Sequence, residues 1–213
     1  MKKIVIIALF AICISANAHD NPRMWRSLSS TGSCISFNKK LKDVYDVSQV
    51  PALSAGIGYQ FGYNFNKFYL SMDARFEGSS TTKGNKMHLT YTSLSLNFGY
   101  KIINTDEDIV SAHLGTGMYE SLIFCAENGN VNRMADTKVG NSIIYQGLNM
   151  FVPVGVTWKT SMSERRRWVF DLSYRFSFCT GSSNAFGSSS KIKDMPDVKL
   201  NGLSLSMGYE FSR

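Results

Sequence analysis

The sequence predicts an all-β protein, an eight-stranded antiparallel up-and-down transmembrane β-barrel. Three observations lead to this prediction. Apolar and polar residues alternate with a period of two over seven segments. The connections between these segments are alternately short and long. Only 18% of the 213 residues are charged, against about 25% in a typical soluble domain, although the hydrophobic content is an ordinary 44%.

Composition excludes several classes of protein. Aromatic residues make up 13% of the chain, more than a disordered segment carries. The 17 glycines are too few for a collagen repeat, and four cysteines are too few for a disulfide scaffold of this length. What remains is a folded chain in which Ser, Thr, Asn and Gly take the place of the missing charge.

Residues 1–18 are predicted to form a cleaved secretory signal peptide, followed by one barrel domain over residues 19–213. Lys2 and Lys3 precede an apolar run over residues 4–14, and an A-x-A cleavage signal ends at Ala18. This run is too short for a membrane-spanning helix, which needs about 20 residues. The mature chain is therefore expected to be exported.

Period-two alternation defines seven strands of about 9 to 16 residues, since alternate side chains of a strand point to opposite faces. In the second of them Phe68, Leu70 and Met72 share one face, whereas Asp73 and Arg75 lie on the other. The seven segments cover residues 53–65, 68–76, 93–102, 110–124, 147–159, 168–178 and 203–211.

The connections indicate an eighth strand. Residues 66–67, 104–108 and 161–167 are short connections, and they alternate with long polar ones. Short periplasmic turns and long extracellular loops are typical of outer-membrane barrels. The long segment 38–50 then requires a first strand upstream of it, for which residues 25–37 provide the room. The total becomes eight, with both termini on the side of the short turns.

The composition of the polar face separates a membrane barrel from a secreted lipocalin-like calyx, which also has one apolar face. A calyx covers its outside with charged residues. Here the polar face consists mostly of Gly, Ser, Asn and Thr, which suit a crowded interior, and the apolar face is long and aromatic. Soluble proteins avoid exposing such a face, so it is expected to contact lipid.

Aromatic residues are predicted to form two girdles at the two membrane interfaces. The girdle near the short turns would contain Phe65, Phe68, Tyr100, Trp158, Trp168, Tyr209 and Phe211. The girdle near the long loops would contain Phe76, Tyr91, Phe124, Tyr145 and Phe178.

These features resemble the small outer-membrane barrels of Gram-negative bacteria, the OmpA and OmpX type. Segments such as Gly-Ile-Gly-Tyr-Gln-Phe-Gly from Gly56 and Gly-Tyr-Glu-Phe from Gly208 are similar to the Bacteroidetes "outer membrane protein beta-barrel domain" family. The resemblance implies location in the cell outer membrane and insertion by the barrel-assembly machinery. The assembly signal of such barrels usually ends in an aromatic residue, whereas here Phe211 is followed by Ser212 and Arg213.

Charged residues on the inward face are expected to meet in the narrow interior of such a barrel. They are Asp73, Arg75, Lys101, His113, Lys159, Asp171, Arg175 and Glu210. Because unpaired buried charge is costly, the first interpretation is a salt-bridge network that plugs the lumen of a structural or surface-interacting protein. A narrow porin whose ion pairs rearrange is the alternative.

No catalytic, cofactor or metal site is predicted. A lipid A-modifying enzyme is a further alternative because barrels of this size include such enzymes, but no His-x-Ser pair accompanies His88, Thr90 or His113. No Cys-x-x-Cys or Cys/His spacing indicates zinc. Three cysteines remain after export, Cys34, Cys125 and Cys179, so at least one is unpaired and the pairing stays open.

The long loops are expected to make the outer rim basic through Lys83, Lys86, Arg133, Lys138, Lys191, Lys193 and Lys199. Expected partners are therefore membrane lipid, the phosphates of lipopolysaccharide and an extracellular ligand. Arg165, Arg166 and Arg167 are assigned to a short turn as a solvated anchor. Nucleic-acid binding is not expected, because no groove of stacking aromatics accompanies these arginines.

Overall fold

A computed structural model describes residues 24–35, 53–80, 87–126, 138–139, 142–163, 166–180, 184–185 and 201–212. Within these residues the chain forms eight long strands. They are β1 (Met24–Cys34), β2 (Leu53–Phe65), β3 (Phe68–Ser80), β4 (Met87–Asn104), β5 (Asp108–Ala126), β6 (Ser142–Ser163), β7 (Arg166–Thr180) and β8 (Gly202–Ser212). Two further strands of two residues each, Lys138–Val139 and Asn184–Ala185, pair with β6.

The eight strands close into an antiparallel barrel. Each strand pairs with its neighbour in the chain, and β1 pairs with β8 from Trp25 opposite Ser212 to Ser33 opposite Ser204. Closure gives every strand two partners, so the barrel has no open edge. The predicted fold and the predicted strand at the amino-terminal end are both confirmed, although β1 ends at Cys34 rather than at residue 37.

Three strands are longer than the predicted limit of about 16 residues. Strand β4 has 18 residues, β5 has 19 and β6 has 22. Their outer ends continue to pair as far as Met87 opposite Cys125 and Ala126 opposite Ser142. In β5 and β6 apolar residues follow one another directly at these ends, as in Leu-Ile-Phe over 122–124 and Ile-Ile-Tyr over 143–145. Alternation is lost there, but the backbone ladder continues. The sequence pattern therefore underestimates these strands.

Two of the short turns are seen in detail. Asn66 has φ of 50° in the two-residue turn before β3, a left-handed conformation that Asn tolerates better than most residues. In the next short turn the Thr105 amide donates to the Asp108 carbonyl at 2.9 Å. The third short turn is shorter than the predicted 161–167. Strand β6 continues to Ser163, and β7 already begins at Arg166. Residues 164–165 lie outside the described residues.

The barrel has a polar inside and an apolar outside. Along β3, Ser71, Asp73 and Arg75 are buried, whereas Met72 is 46% and Phe76 is 54% exposed. The same alternation holds on the other seven strands. A closed barrel satisfies its own backbone hydrogen bonds, which is the condition for crossing a bilayer with strands. The apolar outer surface and this closure together are those of a transmembrane barrel.

Within the described residues, no helix is long and apolar enough to span a membrane.

Large rings near the short turns lie across inward-facing glycines. A Cβ atom added at Gly99 would lie 2.1 Å from the ring of Tyr69, and one added at Gly62 would lie 2.2 Å from the ring of Trp25. Both rings are buried, at 3% and 1% exposure. The absence of a side chain at these glycines therefore makes room for the aromatic packing of the inner wall.

We expect Gly99→Ala to destabilise the folded barrel by about 1–3 kcal/mol, because the Tyr69 ring has to move out of a packed site. Urea-induced unfolding in detergent micelles measures this change. Gly78→Ala is the matched control, since its Cβ would find nothing closer than 3.7 Å. The control is expected to be stabilising by about 0.5 kcal/mol. Equal destabilisation by both substitutions would contradict the packing argument.

Candidate functional site: the charged lumen

Strand alternation places all eight predicted lumen residues on the inward face, and each is at most 9% exposed. They lie on six strands, from β3 to β8. In chain order they are Asp73, Arg75, Lys101, His113, Lys159, Asp171, Arg175 and Glu210. The structure adds a further carboxylate, Glu77, which is completely buried.

Glu77 forms the ion-pair cluster nearest the long loops. Its carboxylate lies 3.3 Å from the Arg175 guanidinium. It also accepts hydrogen bonds from the hydroxyls of Ser54, at 2.6 Å, and Tyr91. Arg175 donates further to the hydroxyls of Ser204 and Tyr91, at 3.3 and 3.4 Å. Both charges are therefore held by several polar partners at once.

Arg75 forms the central cluster. Its guanidinium contacts the carboxylate of Asp73 at 2.6 Å and that of Asp171 at 3.4 Å. Asp171 also accepts a hydrogen bond from the Thr157 hydroxyl at 2.9 Å and lies 3.6 Å from Nδ1 of His113. One arginine thus connects carboxylates from opposite sides of the barrel, on β3 and β7.

Lys159 forms the cluster nearest the short turns. Its ammonium group contacts the Glu210 carboxylate at 2.5 Å. The same nitrogen lies 3.4 Å from the centre of the Trp25 ring and 5.7 Å from that of Tyr69. A cation over an aromatic face is stabilised by the ring quadrupole. Lys101 is buried on the same inward face, at 9% exposure.

The buried charges balance in the part of the chain that the structure describes. Four are lysines or arginines and four are carboxylates. The cations are Arg75, Lys101, Lys159 and Arg175, and the carboxylates are Asp73, Glu77, Asp171 and Glu210. Without Glu77 the set would have an excess of positive charge. The residue absent from the sequence prediction is therefore the one that completes the balance.

Glu77 and Tyr91 show what the sequence reasoning missed. The alternation of Asp73 and Arg75 continues by one further step to Glu77, but the predicted strand ended at residue 76 in front of a Gly-Ser-rich stretch. Tyr91 was expected in the outer girdle near the long loops, but it faces inward and is 1% exposed. Following the alternation of β4 back from Ser93 would have placed it correctly.

The predicted girdle residues near the short turns lie on the outer surface. Phe68 stacks on Phe98 with ring centres 5.4 Å apart, and Trp168 meets Tyr209 edge to face at 5.7 Å. The indole of Trp158 donates to Asp108 at 2.9 Å. The remaining members, Phe65, Tyr100 and Phe211, also take part in outer-face ring contacts.

At the other end, Phe76 and Phe178 are 54% and 61% exposed. The side chains of Phe124 and Tyr145 lie outside those that the structure describes.

The space left between the central charges is small. A cavity of about 10 Å³ is lined by residues that include Asp73, Arg75, His113, Asp171 and Arg175. A single ordered water needs about 10–15 Å³ when volume is measured in this way. The lumen at this level therefore has room for about one water molecule between its side chains.

The described lumen residues do not have the geometry of an acyl-transfer site. The Thr157 hydroxyl and the Asp171 carboxylate both approach Nδ1 of His113, at 3.3 and 3.6 Å. In a catalytic triad the nucleophile hydroxyl and the carboxylate bind opposite ring nitrogens of the histidine. His88 is exposed while His113 is buried inside. No group of three or more His, Cys, Asp or Glu residues able to hold a metal ion occurs among the described residues.

Of the cysteines, Cys34 is free and exposed on the outer face of β1. The side chains of Cys125 and Cys179, and those of the basic loop residues, lie outside the part of the chain whose side chains are described.

The sequence matches no protein-family model, and no curated protein matches it. Solved structures do. A major outer membrane protein from Thermus thermophilus has 10% identity and a TM-score of 0.57, with 89% of this chain and 99% of that chain covered. OprG from Pseudomonas aeruginosa has 13% identity and a TM-score of 0.54, covering 93% and 98%.

A third solved structure is Neisserial surface protein A. It has 10% identity and a TM-score of 0.50, covering 90% of this chain and 99% of that chain. At such low identity the likeness concerns the fold. The chain forms a closed antiparallel barrel with an apolar outer face, and its backbone is similar to those of these three structures. The chain therefore has the fold of the small outer-membrane β-barrel proteins.

Proposed function

We propose that this protein is a Gram-negative outer-membrane barrel with a structural or surface-interaction role and a lumen closed by its own side chains. The apolar outer face supports insertion into lipid. Along β3 the outward side chains from Phe68 to Phe76 extend over about 26 Å, or about 20 Å of depth at a tilt of about 40°. This is comparable with the apolar band of known outer-membrane barrels, about 25 Å tall.

The closed lumen rests on one observation, the cross-barrel pairing around Arg75. This guanidinium binds Asp73 at 2.6 Å and Asp171 at 3.4 Å across the axis, next to a cavity of only about 10 Å³. Conduction would require these contacts to break. Because buried charges are costly without partners, the paired state is favoured, and the narrow porin remains the less favoured alternative.

Planar-bilayer recording tests this proposal. The wild-type protein is expected to give no conductance steps above the background of the bilayer. The matched variant is Arg75→Ala, which removes the bridge between Asp73 and Asp171 and enlarges the central space; it is expected to raise the frequency of small conductance events. Regular steps from the wild-type protein would contradict a closed lumen and favour the porin.

Export and surface contacts complete the proposal. The predicted signal peptide over residues 1–18 lies outside the described residues, as do the long loops with their basic residues. We expect the loops to contact the phosphates of lipopolysaccharide and to present any extracellular ligand site, and we expect the barrel-assembly machinery to insert the chain. Heat-modifiable migration of membrane-extracted protein tests insertion, whereas recovery only in the soluble periplasmic fraction would contradict it.

A non-enzymatic role is part of the same proposal. The buried His113 lines the central cavity of about 10 Å³, and its two polar neighbours share one ring nitrogen. Mass spectrometry of lipid A from cells with and without the protein is expected to show identical species. A new lipid A species would overturn this part of the proposal and leave the membrane location intact.

A further inference from the structure

Two arginines lie on the outer face at the short-turn end of the barrel. Arg26 of β1 and Arg166 of β7 are both exposed. In the ladder each pairs with Phe211 of β8, from opposite sides. Directly opposite residues of antiparallel strands have Cα atoms about 5 Å apart. The two arginines are therefore roughly 10 Å apart at the backbone and flank one phenylalanine ring.

The row next to these arginines, toward the middle of the barrel, is apolar and aromatic. It consists of Leu28, Tyr209 and Trp168. The rings form a continuous cluster, because Tyr209 lies 4.8 Å from Phe211 and 5.7 Å from Trp168. Aromatic belts mark the level of the lipid headgroups. The long arginine side chains can extend from this belt into the headgroup layer.

Neither arginine has a carboxylate partner among the described residues, in contrast to Arg75 and Arg175 of the lumen. Arg167, the residue after Arg166 in β7, lies on the other face and donates to the Asp106 carbonyl at 3.4 Å. A cation on the lipid-facing surface needs a counter-charge. Lipid phosphate at the headgroup level is one group that can supply it at Arg26 and Arg166.

We propose that Arg26, Phe211 and Arg166 form a binding site for an anionic phospholipid of the periplasmic leaflet, with phosphatidylglycerol as its simplest member. Arginine binds phosphate oxygens in a two-pronged geometry, and two arginines bind one headgroup from both sides. Phe211 and the Tyr209 and Trp168 rings contact the upper part of the acyl chains. The site rests on the proposed membrane location, with the short turns in the periplasm.

Fluorescence quenching tests the site, because Trp168 lies where the acyl chains would pack. The full-length protein with Trp158→Phe leaves Trp168 as the outward-facing tryptophan, since Trp25 is buried inside. It is inserted into phosphatidylcholine vesicles that contain brominated phosphatidylglycerol or, for comparison, brominated phosphatidylcholine. The anionic lipid is expected to quench more strongly at equal mole fraction. Each of Arg26→Gln and Arg166→Gln is expected to lower the affinity for phosphatidylglycerol, relative to phosphatidylcholine, about fivefold.

Lys67→Gln is the matched control. Lys67 is also an exposed cation at the short-turn end, in the turn between β2 and β3, but it lies away from the Phe211 row. Its removal is expected to leave the lipid preference unchanged, and roughly 0.5 M salt is expected to reduce the wild-type preference through screening. Equal preference in the wild type and the Arg26→Gln/Arg166→Gln double variant, or an equal loss in Lys67→Gln, would overturn the site.

Heat-modifiable migration separates this inference from the proposed function. Protein that inserts, migrates as a folded barrel and shows no preference for the anionic lipid would overturn the phospholipid site alone. Protein that never inserts would overturn the membrane location, and the site with it.

Discussion

Glu77→Ala is expected to destabilise the barrel by about 3–5 kcal/mol, the cost of leaving a buried charge without its partner. Among the described residues, the Arg175 guanidinium would keep only hydroxyl acceptors, on Ser204 and Tyr91. The Ser54 hydroxyl would lose its carboxylate acceptor as well. Urea-induced unfolding in micelles, followed by tryptophan fluorescence and by gel migration, measures the loss.

Two further variants separate charge pairing from general disruption. Glu107→Gln changes an exposed carboxylate in a short turn and is expected to stay within about 0.5 kcal/mol of the wild type. Glu77→Gln/Arg175→Gln removes both charges and is expected to cost less than the sum of the two single changes. Strictly additive costs would mean that Glu77 and Arg175 are not energetically coupled. Glu77→Gln alone is the milder substitute if Glu77→Ala does not fold.

Leu96→Arg is expected to destabilise the inserted barrel by about 2–4 kcal/mol, because it places a charge on the lipid face at the middle of the membrane. Leu96 is 50% exposed and pairs with Met72 and Thr116 at mid-height of the barrel. The guanidinium would have to displace lipid or draw water into the apolar band. Reversible urea unfolding in phospholipid vesicles measures this cost.

The control is an arginine placed near the membrane surface instead of at its middle. Leu53 is 67% exposed and begins β2 at the long-loop end, so Leu53→Arg is expected to cost only about 0–1 kcal/mol. In detergent micelles the apolar layer adapts more easily. The difference in unfolding free energy between Leu96→Arg and Leu53→Arg is therefore expected to be smaller there. If both arginines cost the same in vesicles, the outer face would not be crossing a bilayer.

The sequence predicted the inward face better than the ends of the strands. Asp73, Arg75 and Asp171 are buried on the face that alternation indicates, because alternation relates each residue to its own neighbours. Glu77 and Tyr91 lie just beyond the predicted strand bounds, which end at residue 76 and begin at residue 93, although the two-residue repeat continues through both. Backbone pairing continues beyond that point, as the 22 residues of β6 show.

The contacts of the lumen could not be predicted from alternation. Arg175 meets Glu77 across 98 positions of sequence, and Arg75 meets Ser204 across 129. Contacts between residues so far apart in sequence depend on the stagger between neighbouring strands and on which strands close the barrel. The position of Arg26 and Arg166 on either side of Phe211 has the same origin, because it arises where the first strand pairs with the last.

Local pattern was therefore enough for the class of fold, the number of strands, the parity of the loops and the face on which most residues lie. All of these follow from the two-residue repeat of a strand, a property of adjacent residues. The pairing of the charges, the small size of the remaining cavity and the paired arginines on the outer face became visible in the closed barrel. They depend on distances between strands far apart in sequence, which are set when the barrel closes.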